Sequence, residues 1–413
     1  MQFKFLFLIV LVSNSMFSQK LKNIEAGIWK AELALNDRLI LPFNLKFSLN
    51  KKLEIAVLNA EEEIVLTKIR FKSDSVYANF PELDGKLVFK VDELGKDLSG
   101  YWLDNRKYKN IKIPFSASFT KEARFLFPSS NSNEKQFDLS GKWEVKFSPK
   151  QESESRAIGL FKTNGNSMSG TFQTETGDYR FLEGNFDDNK FALSSFDGAH
   201  AFVFTGEIFG DSIKGIYYSG SKFRTTWTAF RNENANLSNP DSLTYLISDK
   251  LPFSFNSKIQ LNGKTFTFIG ENYQDKVVLI QIMGTWCPNC IDETKFLKKL
   301  YEDLHLSGLE IIAVCYEAEA KQKKQLQKLK EFKVRMKIPY TILLGGNANK
   351  DLASSDFGML NRVMSFPTTI FIGKDGNPWR IHTGFNGPAT GQTYIDFQNQ
   401  IRFEIEERLD LLR

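Results

Sequence analysis

The chain has 413 residues, with 54 Lys and Arg against 49 Asp and Glu, a formal net charge of +5. Both signs are interspersed, so the small excess builds no basic stripe and nucleic acid is excluded as an expected partner. The length suffices for two or three domains, each with its own core, and Phe alone accounts for 38 residues.

In chain order the first element is a leader. Met1-Gln2-Phe3-Lys4, followed by the apolar run from Phe5 to Val12, has the basic start and short apolar core of a secretory signal. Small residues at Ser13, Ser15 and Ser18 place cleavage after Ser15 or after Ser18, and residues 1–18 are assigned to the signal. Phe5 to Phe17 falls short of the ~20 apolar residues of a membrane span. No later apolar run reaches that length, so no transmembrane span is expected once the signal is removed. No cysteine lies near the cleavage site, so no lipoprotein anchor is encoded.

From Asn23 to Phe230 the sequence reads as short alternating strands separated by Gly, Asn, Asp and Ser turns, with hardly any helical periodicity. This all-β region repeats itself. Gly27-Ile28-Trp29 is echoed by Gly141-Lys142-Trp143, and Leu98-Ser99-Gly100 by Ile213-Lys214-Gly215, at offsets of 114 and 115 positions. Two related antiparallel units are expected, residues 19–127 and 135–231, as small barrels or a sandwich, with a turn-rich break from Pro128 to Glu134. Trp29 and Trp143 are expected to fill the two cores, a stacking platform for a ligand being the alternative. Residues 232–242 form a polar linker.

From residue 243 strands and helices alternate. The apolar run Val277–Met283 reads as a strand, Gly284-Thr285 as a short loop, and Phe296, Leu297, Leu300 and Leu304 as one face of a helix. Between them stands Trp286-Cys287-Pro288-Asn289-Cys290. Two thiols two residues apart can close and reopen a disulfide without rebuilding the protein around them. Cys287 falls where free backbone N–H groups and the positive end of the helix dipole favour a thiolate, which marks it as the attacking sulfur. Cys290, one turn further in, is the resolving thiol.

A structural zinc site is not supported. The remaining cysteine is Cys315, and His200, His305 and His382 make no paired-ligand spacing. No metal is expected. Cys315 ends the run Leu309 to Val314 and reads as a core residue of a buried strand. Further on, residues 319–332 read as a helix with a charged outer face, Thr368 to His382 as a hairpin turning at Asp375-Gly376, and Ile401, Ile405 and Leu409 as a final amphipathic helix.

The motif at residues 284–290, its approach through Asn262-Gly263-Lys264 and Lys276 to Leu279, and the loop Ser365-Phe366-Pro367-Thr368-Thr369 together resemble the thioredoxin superfamily, and within it the exported TlpA/ResA-type thiol-disulfide oxidoreductases. The resemblance runs from Pro252 to the C-terminus and leaves the β units aside. It implies an α/β thioredoxin-like fold for residues 243–413, protein-disulfide oxidoreductase activity, and no cofactor beyond the redox-active Cys287–Cys290 disulfide. Pro367 would be cis beside that disulfide, with the Phe366 backbone free to pair with an extended substrate segment. Trp286 would be auxiliary, and Glu293 would be the acidic residue such proteins keep near the buried thiol. A solvated first-turn carboxylate is the other reading of Glu293.

The resemblance further implies disulfide-bearing envelope proteins as substrates, a membrane thiol as electron donor, and the periplasm or cell envelope of a bacterium as location. Two departures stand out. Phe366 occupies a place that relatives commonly give to a small or aliphatic residue, and residues 337–364 match poorly in spacing. The reading from another class is an envelope binding or scaffold protein whose β units recruit a partner or glycan, with the redox domain secondary.

Overall fold

The computed structural model describes residues 24–49, 52–104, 111–127, 138–247 and 252–412. The signal at residues 1–18 and the break at residues 128–134 lie outside the described residues. The chain divides into two compact units. One runs to Ser155 and adds Phe161–Gly170 and Phe181–Glu233; the other takes Arg156–Leu160, Thr171–Arg180 and Asn234–Arg413.

The N-terminal region is all-β, in two nine-stranded antiparallel sheets. In the first, each strand pairs with its sequence neighbour and the first strand, Gly27–Asn36, closes on the last, Ile111–Ser118, with Ala31 opposite Ala117. A seam remains between Glu62–Val65 and Thr67–Lys72, which form the two ends of the sheet. Alternate residues point inward, as the period of a pleated strand demands, so Trp29, Ala31, Leu33 and Leu35 of the first strand are buried. The second sheet closes fully: Gly141–Phe147 pairs with Phe223–Arg231, and Ser155–Asn164 pairs with Ser167–Thr174.

The internal repeat is visible in detail. The Trp29 indole N–H donates to the Glu25 carbonyl at 2.9 Å, and the Trp143 indole N–H donates to the Leu139 carbonyl at 2.9 Å, four residues back in each case. Both rings are buried, as core-filling aromatics rather than a surface platform. Gly100 and Gly215 hold equivalent places too. A side chain at either would run into a carbonyl of the adjacent strand, Val88 or Thr205, so only glycine permits the approach. Within this unit Phe196 of the second sheet packs on Phe43 at 4.8 Å and Trp102 at 4.9 Å, joining the first sheet's core.

The second unit is built on a seven-stranded mixed sheet. Its order is Thr265–Ile269, Ser254–Gln260, Thr341–Asn347, Leu309–Glu317, Val277–Met283, Thr368–Ile372 and Pro378–Thr383. The three middle strands of the run 341–347, 309–317 and 277–283 are parallel, and Thr368–Ile372 joins Val277–Met283 antiparallel. Val277–Met283 is buried along its whole length, which is why it is apolar on both faces rather than alternating. Cys315 is buried in its neighbour, as its apolar context suggests.

Helices span Pro288–Leu304, Gln322–Met336, Lys350–Asp356 and Gln392–Arg408. The second of these begins three residues later and ends four residues later than the sequence suggests. Glu319 folds its carboxylate back onto the Ala320 N–H at 3.0 Å, and Lys321 stays extended as the cap. At the other end Lys337 in the left-handed region closes the last turn.

Candidate redox site

Cys287 caps the helix Pro288–Leu304 and Cys290 lies in its first turn. Pro288 opens that helix, where its missing N–H costs nothing and its fixed φ suits the first position. The Cys287 Sγ accepts the Cys290 backbone N–H at 3.3 Å, the interaction a helix start offers an anion. On its other side the same thiol donates to the Phe366 carbonyl at 3.5 Å. Cys287 is 8% exposed and Cys290 is fully buried. Burial, followed by the hydrogen bond and charge of Cys287, pushes the Cys290 thiol well above the ordinary thiol range. The two sulfurs are therefore unequal: Cys287 keeps a little exposure, and Cys290, sealed off with its thiol pushed up, needs a base.

The Phe366–Pro367 peptide is cis. Phe366 stacks on Tyr316 at 5.6 Å and meets the edge of Trp286 at 6.0 Å. Trp286 in turn donates its indole N–H to the Tyr316 carbonyl at 2.9 Å. The Phe366 ring is thus held inside an aromatic cluster while its carbonyl is turned toward Cys287.

Glu293 is not solvated. It is buried on the helix three residues after Cys290, and its two oxygens accept from Gln281 Nε2 and Thr369 Oγ1, each at 2.8 Å. Burial pushes its carboxyl up to about 7, against the opposing effect of those two donors. A carboxyl of that strength exchanges its proton near neutrality, which suits a general base. Gln281 also reaches the Cys290 carbonyl at 3.4 Å, so one amide ties the helix turn to the carboxylate.

The Redoxin family model matches residues 247–396. Thioredoxin-like protein YneN from Bacillus subtilis is 26% identical over 141 residues, covering 34% of this chain and 68% of that protein. The thiol-disulfide oxidoreductase ResA of Geobacillus thermodenitrificans is 29% identical over 113 residues, 27% of this chain and 58% of that protein. A solved thiol:disulfide interchange protein of the thioredoxin family from Chlorobium tepidum TLS aligns with a TM-score of 0.29 at 19% identity, over 39% of this chain and 99% of the other. The C-terminal region is similar to thioredoxin-like proteins of the ResA type. The similarity supports protein-disulfide oxidoreductase activity for this domain and does not extend to the β sheets.

Several residues of the thioredoxin-like domain escape a reading of the sequence. Gln281 is the one polar member of an otherwise apolar strand, and that break in pattern was the available signal. Glu317 lies buried at the end of the neighbouring strand and accepts from the Thr285 N–H at 3.0 Å and the Thr285 hydroxyl at 2.7 Å, fixing the loop that carries Trp286 and Cys287. Burial raises its carboxyl. Behind Phe366, the Tyr316 hydroxyl donates to Asp356 at 2.7 Å, and buried Lys258 pairs with the same Asp356 at 2.7 Å. Among the described residues no group of acidic, His and Cys side chains is arranged to hold a metal ion.

Proposed function

We propose that this chain is an exported thiol:disulfide oxidoreductase that reduces disulfides of bacterial envelope proteins, organised as a signal at residues 1–18, two β units and a redox domain from residue 243. The observation that carries the reading is the inequality of the two thiols, a slightly exposed sulfur capping a helix and a buried partner beside a carboxyl that titrates near neutrality.

Cys287 as thiolate attacks one sulfur of the substrate disulfide. The sulfur–sulfur bond breaks, a mixed disulfide with Cys287 forms, and the released substrate thiolate takes a proton from solvent. Glu293 then accepts the Cys290 proton, and the Cys290 thiolate attacks the Cys287 sulfur. The second substrate thiolate leaves, and Cys287–Cys290 closes as a disulfide. The substrate gains two electrons from the dithiol; one substrate thiolate is protonated from solvent and the other by the proton that Cys290 gave to Glu293. Pro367 and Phe366 orient the incoming segment, and a membrane thiol returns the domain to its reduced form. Among the described residues no helix is long and apolar enough to cross a membrane.

The test is trapping. Cys290→Ser should attack and then stall, so substrates accumulate covalently on Cys287 and appear on non-reducing gels of envelope extracts. Cys287→Ser should trap few or none. Equal trapping by both variants, or trapping that survives in Cys287→Ser, Cys290→Ser, would reject the assignment. The direction is read from the reduction potential by glutathione equilibration: a value near about −120 mV would mark an oxidant, and one near about −270 mV the reductant proposed here.

A further inference from the structure

The compact unit that holds the redox sheet also includes Thr171–Arg180, a segment from the middle of the second β sheet. It carries a short hairpin in which Thr174 pairs with Gly177. Gly177 makes a parallel bridge to Phe385, in the loop that follows the strand Pro378–Thr383. A side chain at Gly177, whose φ is +147°, would run into the carboxamide of Asn289, the residue between Pro288 and Cys290. From the opposite side, a Cβ at Gly384, with φ +82°, would lie 2.5 Å from the backbone of Thr176. Glycine on both faces of the contact allows backbone-to-backbone approach.

Gly384 also places the contact beside the substrate loop, since its N–H donates to the Pro367 carbonyl at 2.8 Å. Phe366, one residue earlier, touches the Cys287 sulfur. The contact is locked by buried charge. Arg180 Nη1 pairs with Asp292 of the active-site helix at 2.8 Å, both side chains being 6% exposed. Lys295 reaches the other Asp292 oxygen at 3.3 Å. Asp178 accepts the Arg180 N–H at 2.6 Å and also the Gly387 N–H. Burial, then the charge of Asp292, pushes the Asp178 carboxyl up to about 6. A buried ion pair is a costly way to gain stability and an effective way to fix one geometry.

We propose that the hairpin at residues 174–180 is a fixed wall of the redox site that selects which disulfides reach Cys287, with Arg180 as the positioning residue that holds it on the active-site helix. Small disulfides and disulfides in extended, flexible segments pass; disulfides embedded in a folded surface are turned away. This rests on the oxidoreductase reading of the same site.

The test measures access directly on the full chain, reduced, in a Cys290→Ser background so that Cys287 is the entrance thiol. Alkylation rates are taken with iodoacetamide and with a polyethylene-glycol maleimide, and only label lost in Cys287→Ser is counted. Arg180→Ala should raise the bulky-to-small rate ratio by about tenfold, within the range that contacts of a site give in discrimination. Arg180→Lys, which keeps a cation in reach of Asp292, should return the ratio toward the parent value. Asp178→Asn, nearly isosteric, is read in the same assay so that poor folding of one variant does not decide the matter. A ratio that rises by less than about threefold in the folded variants, or falls, overturns the wall. Insulin reduction is followed separately. Failure of the oxidoreductase reading would show as absent turnover in the chain with both Cys287 and Cys290 intact, and failure of the wall as an unmoved labelling ratio.

Discussion

Among the described residues, the first compact unit buries two charged side chains, Arg124 and Asp197, whereas the second buries Asp178, Arg180, Lys258, Asp292, Glu293, Glu317 and Asp356 among others. The first unit spends its interior on aromatic packing, with Trp29, Phe43, Phe47, Phe89, Trp102 and Phe196 in one cluster. Removing a charge from water is expensive, and a fold retains such groups where pairing offsets the cost or chemistry needs them. Three of those groups, Asp178, Glu293 and Glu317, have carboxyls that burial raises, and this separates a region built to stay folded from one where proton exchange is at hand.

The sharpest way to break that contrast is to remove a core aromatic from each repeat. Trp29→Ala and Trp143→Ala should each destabilise by about 3 to 5 kcal/mol, since a large buried ring leaves a cavity that the sheet fills only in part. Chemical denaturation measures the loss, and thiol exchange per folded molecule should stay within error of the parent. Similar costs in both variants would confirm that the repeats are equivalent in energy as well as geometry. Loss of exchange in folded protein would show that the first unit takes part in chemistry.

The next test concerns protonation. Glu293 is raised in the folded state to about 7 from an ordinary 4.5, so the folded protein holds its proton more tightly than the unfolded chain. Its contribution is present at low pH and is lost as pH rises from about 4.5 to about 7, up to roughly 3 kcal/mol. Asp178, raised to about 6, acts with the same sign over the lower part of that window. Stability measured against pH should therefore fall across the window, and Glu293→Gln should flatten the upper part of the slope. The same variant should slow release of the mixed disulfide near pH 7. A slope unchanged in Glu293→Gln would place the titration elsewhere.

The smallest effect is expected at Cys315. Cys315→Ala removes one buried sulfur from the strand Leu309–Glu317 and should cost about 1 kcal/mol in denaturant unfolding. Burial and the charge of Glu317 push that thiol well above the ordinary range, so it stays protonated. Trapping on Cys287 should be unaffected, and any decline would bring Cys315 into the exchange chemistry.

Much of this was legible from residue order because the signals were local. The strand Val277–Met283, the Gly-Thr loop and the helix start are contiguous, so Cys287 and Cys290 could be assigned roles from neighbours alone. The repeat was legible because Gly100 and Gly215 answer the same close approach of an adjacent strand. The partners of Glu293 were not, since Gln281 and Thr369 come from two different strands and meet only when those strands pair, Gln281 opposite Thr369. Arg180 and Asp292 are 112 positions apart, and nothing in either stretch foretells the other. The helix near residue 322 was misplaced because its Lys-rich ends carry no capping signal, and the turn that delays it depends on a side chain folding back.

The seam in the first sheet has a consequence for colloidal behaviour. Unpaired strand edges invite the edges of other chains, the first step toward fibrous aggregates. One side of this seam, Thr67–Lys72, exposes Lys68, Arg70 and Lys72, and the other, Glu62–Val65, exposes Glu63. Two copies meeting edge to like edge would bring cation against cation or carboxylate against carboxylate. Pairing of like edges at the opening left by incomplete closure is thereby disfavoured.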